Sequence, residues 1–153
     1  MKITDFLDVR TVIPMLASRE KNAVLQEMAD WLAVGHPFLD KKRVLEVLLE
    51  RERISTTAIG EGVAIPHGKL PGVERVLGVF GRSPEGVDFA SLDGRPTHLF
   101  FVLIAPENAA ADHLKALARI SRLLKDESFR RRLMEEKTSQ EIFRAIAEED
   151  QKF

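Results

Sequence analysis

The sequence predicts an α/β fold, a single-domain α/β/α sandwich over residues 1–153, and three observations predict it. Helical periodicity occupies both ends of the chain, while the middle holds strand-like apolar runs set between Pro and Gly punctuation. The run Leu99-Phe100-Phe101-Val102-Leu103-Ile104 is continuously apolar, which suits a strand buried on both faces. Finally, 153 residues of which 44% are apolar supply one substantial core, with no internal repeat or linker to divide it.

The elements follow in order. Ser18 is placed to cap a helix whose apolar positions Val24, Leu25, Met28, Ala29 and Leu32 keep 3.6-residue periodicity, and Gly35 with Pro37 ends it. Asp40 caps a second helix with Val44, Leu45, Leu48 and Leu49 as its inner stripe, running out near Arg51 to Arg53. From Ile54 to Gly72 the composition is that of loop and turn around a short strand, Val63 to Ile65. Val76 to Phe80 and Thr97 to Ala105 read as strands, separated by polar turn chemistry between Gly86 and Pro96 that includes Asp93-Gly94. Beyond Pro106 the chain returns to helix. Leu114, Leu117, Ala118, Ser121 and Leu124 mark the inner face of the first, Phe129 and Leu133 belong to a short second, and Thr138 with Glu141 forms a capping-box signature before the third. Trp31, Phe100 and Phe101 are expected in the core, and Arg130-Arg131-Arg132 on a solvated helix face.

Composition narrows the function. With 23 basic and 24 acidic side chains the chain carries a net charge of −1, without the basic excess of a nucleic-acid-gripping protein. The absence of cysteine excludes disulfides, thiolate metal sites and a cysteine nucleophile. No apolar run approaches the roughly 20 residues of a membrane helix and no secretory segment follows Met1, so a cytoplasmic chain is expected.

Four histidines are then the nucleophiles and proton carriers available near neutral pH. His36, in an inter-helix loop, and His98, at the start of the long strand, are expected to serve structure, His98 by satisfying a backbone carbonyl. His67 differs in its neighbours: it follows Val63-Ala64-Ile65 and Pro66 and precedes Gly68, which places an imidazole at the carboxyl end of a strand. Backbone amides around Gly60 and Gly62, with the hydroxyls of Thr56 and Thr57, can converge on an anion; turns demand glycine too, so both readings stay open on these residues alone. His113, in the first turn of the next helix, is either a second imidazole at an anion-favouring terminus or a surface histidine. Asp88 and Asp112 are orienters of these rings or ordinary turn and first-turn carboxylates.

The stretch Arg51-Glu52-Arg53-Ile54-Ser55-Thr56-Thr57-Ala58-Ile59-Gly60-Glu61-Gly62-Val63-Ala64-Ile65-Pro66-His67-Gly68-Lys69 closely resembles the active-site region of enzyme IIA components of the bacterial phosphotransferase system, in the fructose, mannitol and nitrogen-regulatory class. The likeness continues through Asp93-Gly94, Ala105-Pro106 and His113-Leu114. It implies a central mixed sheet covered by helices on both faces. It further implies that His67 is the phosphorylated residue, His113 the second active-site histidine and Arg51 the arginine facing the phosphoryl group, with Thr57, Gly60 and Gly62 completing the cradle. No metal or organic cofactor is implied. The donor would be an HPr-like phosphocarrier protein. The receiver would be a IIB domain in sugar transport, or a regulated transporter or sensor kinase in the nitrogen-regulatory branch, which a chain without an attached IIB domain favours. A homodimer is compatible with this. Ile59, Val63, Ile65 and Leu70 are candidates for an apolar docking face around His67. One departure stands out: the family usually reads Ser-Thr-Gly where this chain has Thr56-Thr57-Ala58, and an alanine at a positive φ would be strained. The rival readings are a non-catalytic anion- or protein-binding module and a metal-dependent hydrolase built on His67, His113 and Asp88, for which no local ligand pair speaks.

Overall fold

The computed structural model describes residues 1–153. The strands are β1 (Val12–Ile13), β2 (Ala58–Gly60), β3 (Val63–Ala64), β4 (His67–Lys69), β5 (Leu77–Val87) and β6 (Thr97–Ala105). The helices are α1 (Lys21–Gly35), α2 (Lys41–Ile54), α3 (Ala110–Leu124), α4 (Glu127–Glu135) and α5 (Ser139–Asp150). One mixed sheet runs in the order β1-β5-β6-β3-β2, and β4 also pairs with β6. β5 and β6 are antiparallel, whereas β3 and β4 lie parallel to β6 along one of its sides.

Strand alternation sends successive residues of β6 to opposite faces. Phe100, Val102 and Ile104 pack with Val24, Met28 and Leu32 of α1 and Leu48 of α2. Leu99, Phe101 and Leu103 pack with Ile120 of α3, Leu133 of α4 and Ile146 of α5. The helices that precede the main strands in sequence therefore cover one face and those that follow cover the other, which is the α/β/α sandwich expected.

Several local expectations need correcting. α1 begins at Lys21, because Glu27 reaches back to take the Ala17 and Ser18 N–H groups and leaves Ser18 outside the helix. β5 runs past the expected end at Phe80 as far as Val87, into the first two residues of the expected turn region, with an irregular register between Arg82 and Val87. Arg82, within that extension, is buried, and its guanidinium is wrapped by the carbonyls of Pro14, Leu133, Met134 and Glu136. The buried face of α3 is His113, Ala116, Ile120, Leu123 and Leu124, rotated about one residue from the expected stripe, so that Leu114 is 67% exposed. Trp31 lies partly in solvent, while Phe100 and Phe101 are core residues as expected. Arg130 is no solvated side chain: it caps the end of α3 through the Leu124 and Lys125 carbonyls, while Arg131 and Arg132 pair with glutamates. Asp40 and Thr138 cap α2 and α5 as expected.

Candidate functional site

The strand register places the site. β3 pairs with Leu99 and Phe100, and the chain continues in the same register through Pro66, whose carbonyl accepts the Leu103 N–H at 3.0 Å, into β4 with His67 opposite Leu103. A Cβ on Gly68 would lie 3.1 Å from Val47 of α2, so β4 approaches that helix closely through its glycine. Alternation then turns His67 toward the opposite face, where α3 begins.

The two rings meet there. His67 and His113 lie 5.3 Å apart between centroids, edge to face at 73°. His67 Nδ1 is 2.8 Å from the Ile65 carbonyl oxygen, which only accepts hydrogen bonds, so Nδ1 carries the proton and Nε2 presents its lone pair. His113 is 7% exposed, and its buried Nε2 has no hydrogen-bond partner. The start of α3, within one turn of His113, has no side-chain cap, so its first N–H groups are left without a side-chain partner at the positive end of the helix dipole.

Burial lowers the pKa of His67; the Ile65 carbonyl and Glu52 oppose this, and the Arg51 guanidinium reinforces it. Burial likewise lowers His113, with His67 and Lys69 reinforcing it. Both rings are therefore neutral at pH 7, a nucleophilic state for His67. The unfolded chain takes up these protons near the ordinary value of 6.5, the folded chain only lower. The stability contribution is thus complete above that value and is lost as pH falls toward the folded-state pKa values. Urea midpoints are expected to drop between pH 7.5 and pH 5.5, with both ring resonances titrating below 6.5; a ring titrating above 6.5 would overturn the assignment.

Arg51, on the last turn of α2, holds the Ser55 carbonyl at 2.9 Å and lies within electrostatic reach of His67. The remaining expected cradle is placed differently. Thr57 is buried, with its hydroxyl on the Glu52 carboxylate, so that hydroxyl does not point to an incoming anion. Gly60 and Gly62 form a turn of positive φ, 103° and 76°, around Glu61, whose N–H is held by Asp93 at 3.0 Å. That turn sits at the Leu99 end of β6 whereas His67 sits at Leu103, four residues on, or roughly 13 Å at strand rise. The turn lines a groove with Ser121, Lys125 and Arg130 instead. Ala58 is in β2 and is not among the residues of positive φ, so the departure from Ser-Thr-Gly introduces no strain.

Asp88 accepts from the Ala90 N–H in its own turn and Asp112 is exposed; neither orients a histidine. His98 Nδ1 lies 2.9 Å from the Ser83 carbonyl oxygen, the structural role expected, and His36 ends α1. Of the candidate docking residues Val63, Ile65 and Leu70 are buried and Ile59 is exposed; the other exposed apolar side chains near the site are Ile54, three residues beyond Arg51, and Leu114, next to His113. Sequence reading passed over Glu52 and Lys21. Glu52 stands beside Arg51 in the quoted stretch, but nothing in a charged residue's neighbours announces that its side chain is only 5% exposed.

Comparison with known proteins follows the same lines. The family model described as phosphoenolpyruvate-dependent sugar phosphotransferase system, EIIA 2, matches residues 5–149. A nitrogen regulatory protein of Bradyrhizobium diazoefficiens is 46% identical over 149 residues, which are 96% of this chain and 95% of that protein. The fructose-specific EIIABC component of Bacillus subtilis is 42% identical over 150 residues, covering 98% of this chain and 24% of that one. The crystal structure of the nitrogen regulatory protein IIA-Ntr from Neisseria meningitidis superposes with a TM-score of 0.88 at 32% identity, over 94% of this chain and 98% of that chain.

Proposed function

Because the chain belongs to the EIIA 2 family of the phosphoenolpyruvate-dependent sugar phosphotransferase system, we propose that it is a phosphorelay protein in which His67 accepts a phosphoryl group from the phosphohistidine of an HPr-like carrier, in the service of nitrogen or metabolic regulation. The observation that carries this reading is the bond between His67 Nδ1 and the Ile65 carbonyl oxygen, which leaves Nε2 unprotonated on a ring that burial keeps neutral.

In the transfer, the Nε2 lone pair attacks phosphorus, an N–P bond forms on His67, and the donor's N–P bond breaks with its electron pair returning to the donor imidazole. The proton of His67 stays on Nδ1, hydrogen-bonded to the Ile65 carbonyl, throughout, so the acceptor ring needs no separate base. Arg51 can fork onto the equatorial oxygens, the neutral His113 ring can donate to them from Nε2, and the uncapped start of α3 adds backbone N–H groups. The exposed side chains of Ile54 and Leu114 give a carrier an apolar rim to dock on. A relay fed by such a carrier works in the cytoplasm.

The regulatory branch is supported by the nitrogen regulatory relative, matched along 95% of its length. The second reading is transport, in which His67 passes phosphate to a IIB domain, and it rests on the likeness to the fructose-specific EIIABC component. The test is intact mass after incubation with phosphoenolpyruvate, enzyme I and an HPr-type carrier. One acid-labile phosphoryl adduct is expected on the wild type and none on His67→Ala. No adduct with several carriers would sink the relay, and an adduct retained by His67→Ala would move it to another residue. Exposure of the phosphorylated chain to a fructose-type IIB domain then separates transport from regulation.

A further inference from the structure

Near His67 lies a largely buried ion pair that the transfer itself does not use. Lys21 Nζ, on the first residue of α1, is 2.9 Å from Glu52 Oε2, with side chains 24% and 5% exposed. The ammonium also sits 4.7 Å over the ring of Phe89. Glu52 is the neighbour of Arg51, and a helical step of about 100° sends the two side chains different ways. The carboxylate accepts the Thr57 N–H at 3.2 Å and the Thr57 hydroxyl. Thr57 in turn accepts the Ile65 N–H on its carbonyl at 3.1 Å, and the Ile65 carbonyl accepts from His67 Nδ1 at 2.8 Å.

A buried carboxylate is costly unless paired, and one near an arriving phosphoryl group would also repel it. Its presence there requires a partner and a purpose, and the chain of contacts supplies both. We infer that Lys21 and Glu52 are positioning residues for His67: together they clamp Thr57, Thr57 holds Ile65, and Ile65 fixes the tautomer and direction of the His67 ring, while Lys21 cancels the charge of Glu52. This rests on the reading of His67 as the acceptor. The pair never touches the phosphoryl group; it acts through two backbone links.

The experiment compares the full chain with Lys21→Met, Glu52→Gln and the double variant, reading the His67 ring nitrogen shifts, the rate of phosphorylation by an HPr-type carrier, and the urea midpoint. Lys21→Met leaves Glu52 charged and unpaired. A fall of about tenfold or more in the phosphorylation kcat/KM is expected, the scale that a small displacement of a reacting atom produces, with the Nε2-protonated tautomer becoming visible. Glu52→Gln alone keeps an acceptor for Thr57 and should fall less. The double variant, with neither charge, is expected to return to within about threefold of the wild-type rate and to the Nδ1-protonated tautomer. A pair that served stability alone would lower the urea midpoint without moving the tautomer, and that result overturns the inference, as does a double variant no better than Lys21→Met. Should Lys21→Met fail to fold, Glu52→Ala removes both acceptors for Thr57 and is read the same way, a wild-type tautomer counting against the clamp. The nitrogen shifts need no phosphoryl transfer. A wild type that takes no phosphate therefore sinks the relay, while the clamp is still judged by the tautomer.

Discussion

His113→Leu is expected to slow phosphorylation of the chain by about two to three orders of magnitude, the range found when one preorganised donor to a developing oxyanion is removed, while leaving stability unchanged or raised. The two halves of this result have one cause. The His113 Nε2 is buried without a hydrogen-bond partner, an arrangement that costs about 1–3 kcal/mol in a folded protein. A side chain that served the core alone would not retain it. Beside the neutral His67 ring and the uncapped start of α3, and on the function proposed above, this nitrogen is the one to carry the neutral ring's proton and donate it to phosphoryl oxygens. Leucine fills a similar volume and removes the orphaned group. Stopped-flow or quench measurement of phosphorylation, with urea unfolding of the same preparations, checks both halves. A variant that keeps wild-type transfer, or loses more than about 1 kcal/mol of stability, would show that the ring is held for packing.

Arg82→Ala is expected to have the largest effect on stability, about 3–5 kcal/mol, with the urea midpoint falling at nearly constant slope. Arg82 is 6% exposed and spans the molecule from β5: its Nε donates to the Pro14 carbonyl at 2.9 Å and its Nη1 to the Leu133 carbonyl at 2.9 Å, with the Met134 and Glu136 carbonyls beside it. The last turn of α4 thus has its free carbonyls satisfied by a side chain from the sheet. Truncation leaves these acceptors without a donor and opens a void. Arg82→Lys, a single point charge on a different stem, should recover only part of the loss. A loss under about 1 kcal/mol for Arg82→Ala would mean that water replaces the guanidinium. Phosphorylation by the carrier is expected to be retained at temperatures where the variant is folded, because Arg82 makes its contacts with the α4 end of the fold and the N-terminal segment.

The sequence by itself determined the layers of this protein and singled out His67 among its histidines. Continuous apolar character marked β6 as doubly buried, and periodicity with Asp40 and Thr138 located α2 and α5, because these signals are local and each depends on a few neighbouring residues. His67 stood out through Pro66 and Gly68, whose backbone restrictions are likewise local. Only the tertiary structure decided which face of α3 turns inward, since Leu114-Leu117-Ala118 and His113-Ala116-Ile120 are both helical stripes until a sheet selects one. It decided that Gly60 and Gly62 lie away from His67: the chain runs extended beside β6 in one register from Val63 to Lys69, so the turn is not folded back onto the ring. And it decided which charges are buried. Arg82 and Glu52 look like surface residues in the sequence, because a charged side chain becomes buried only when a partner from a distant segment, a ring of carbonyls for Arg82 or Lys21 for Glu52, is folded against it.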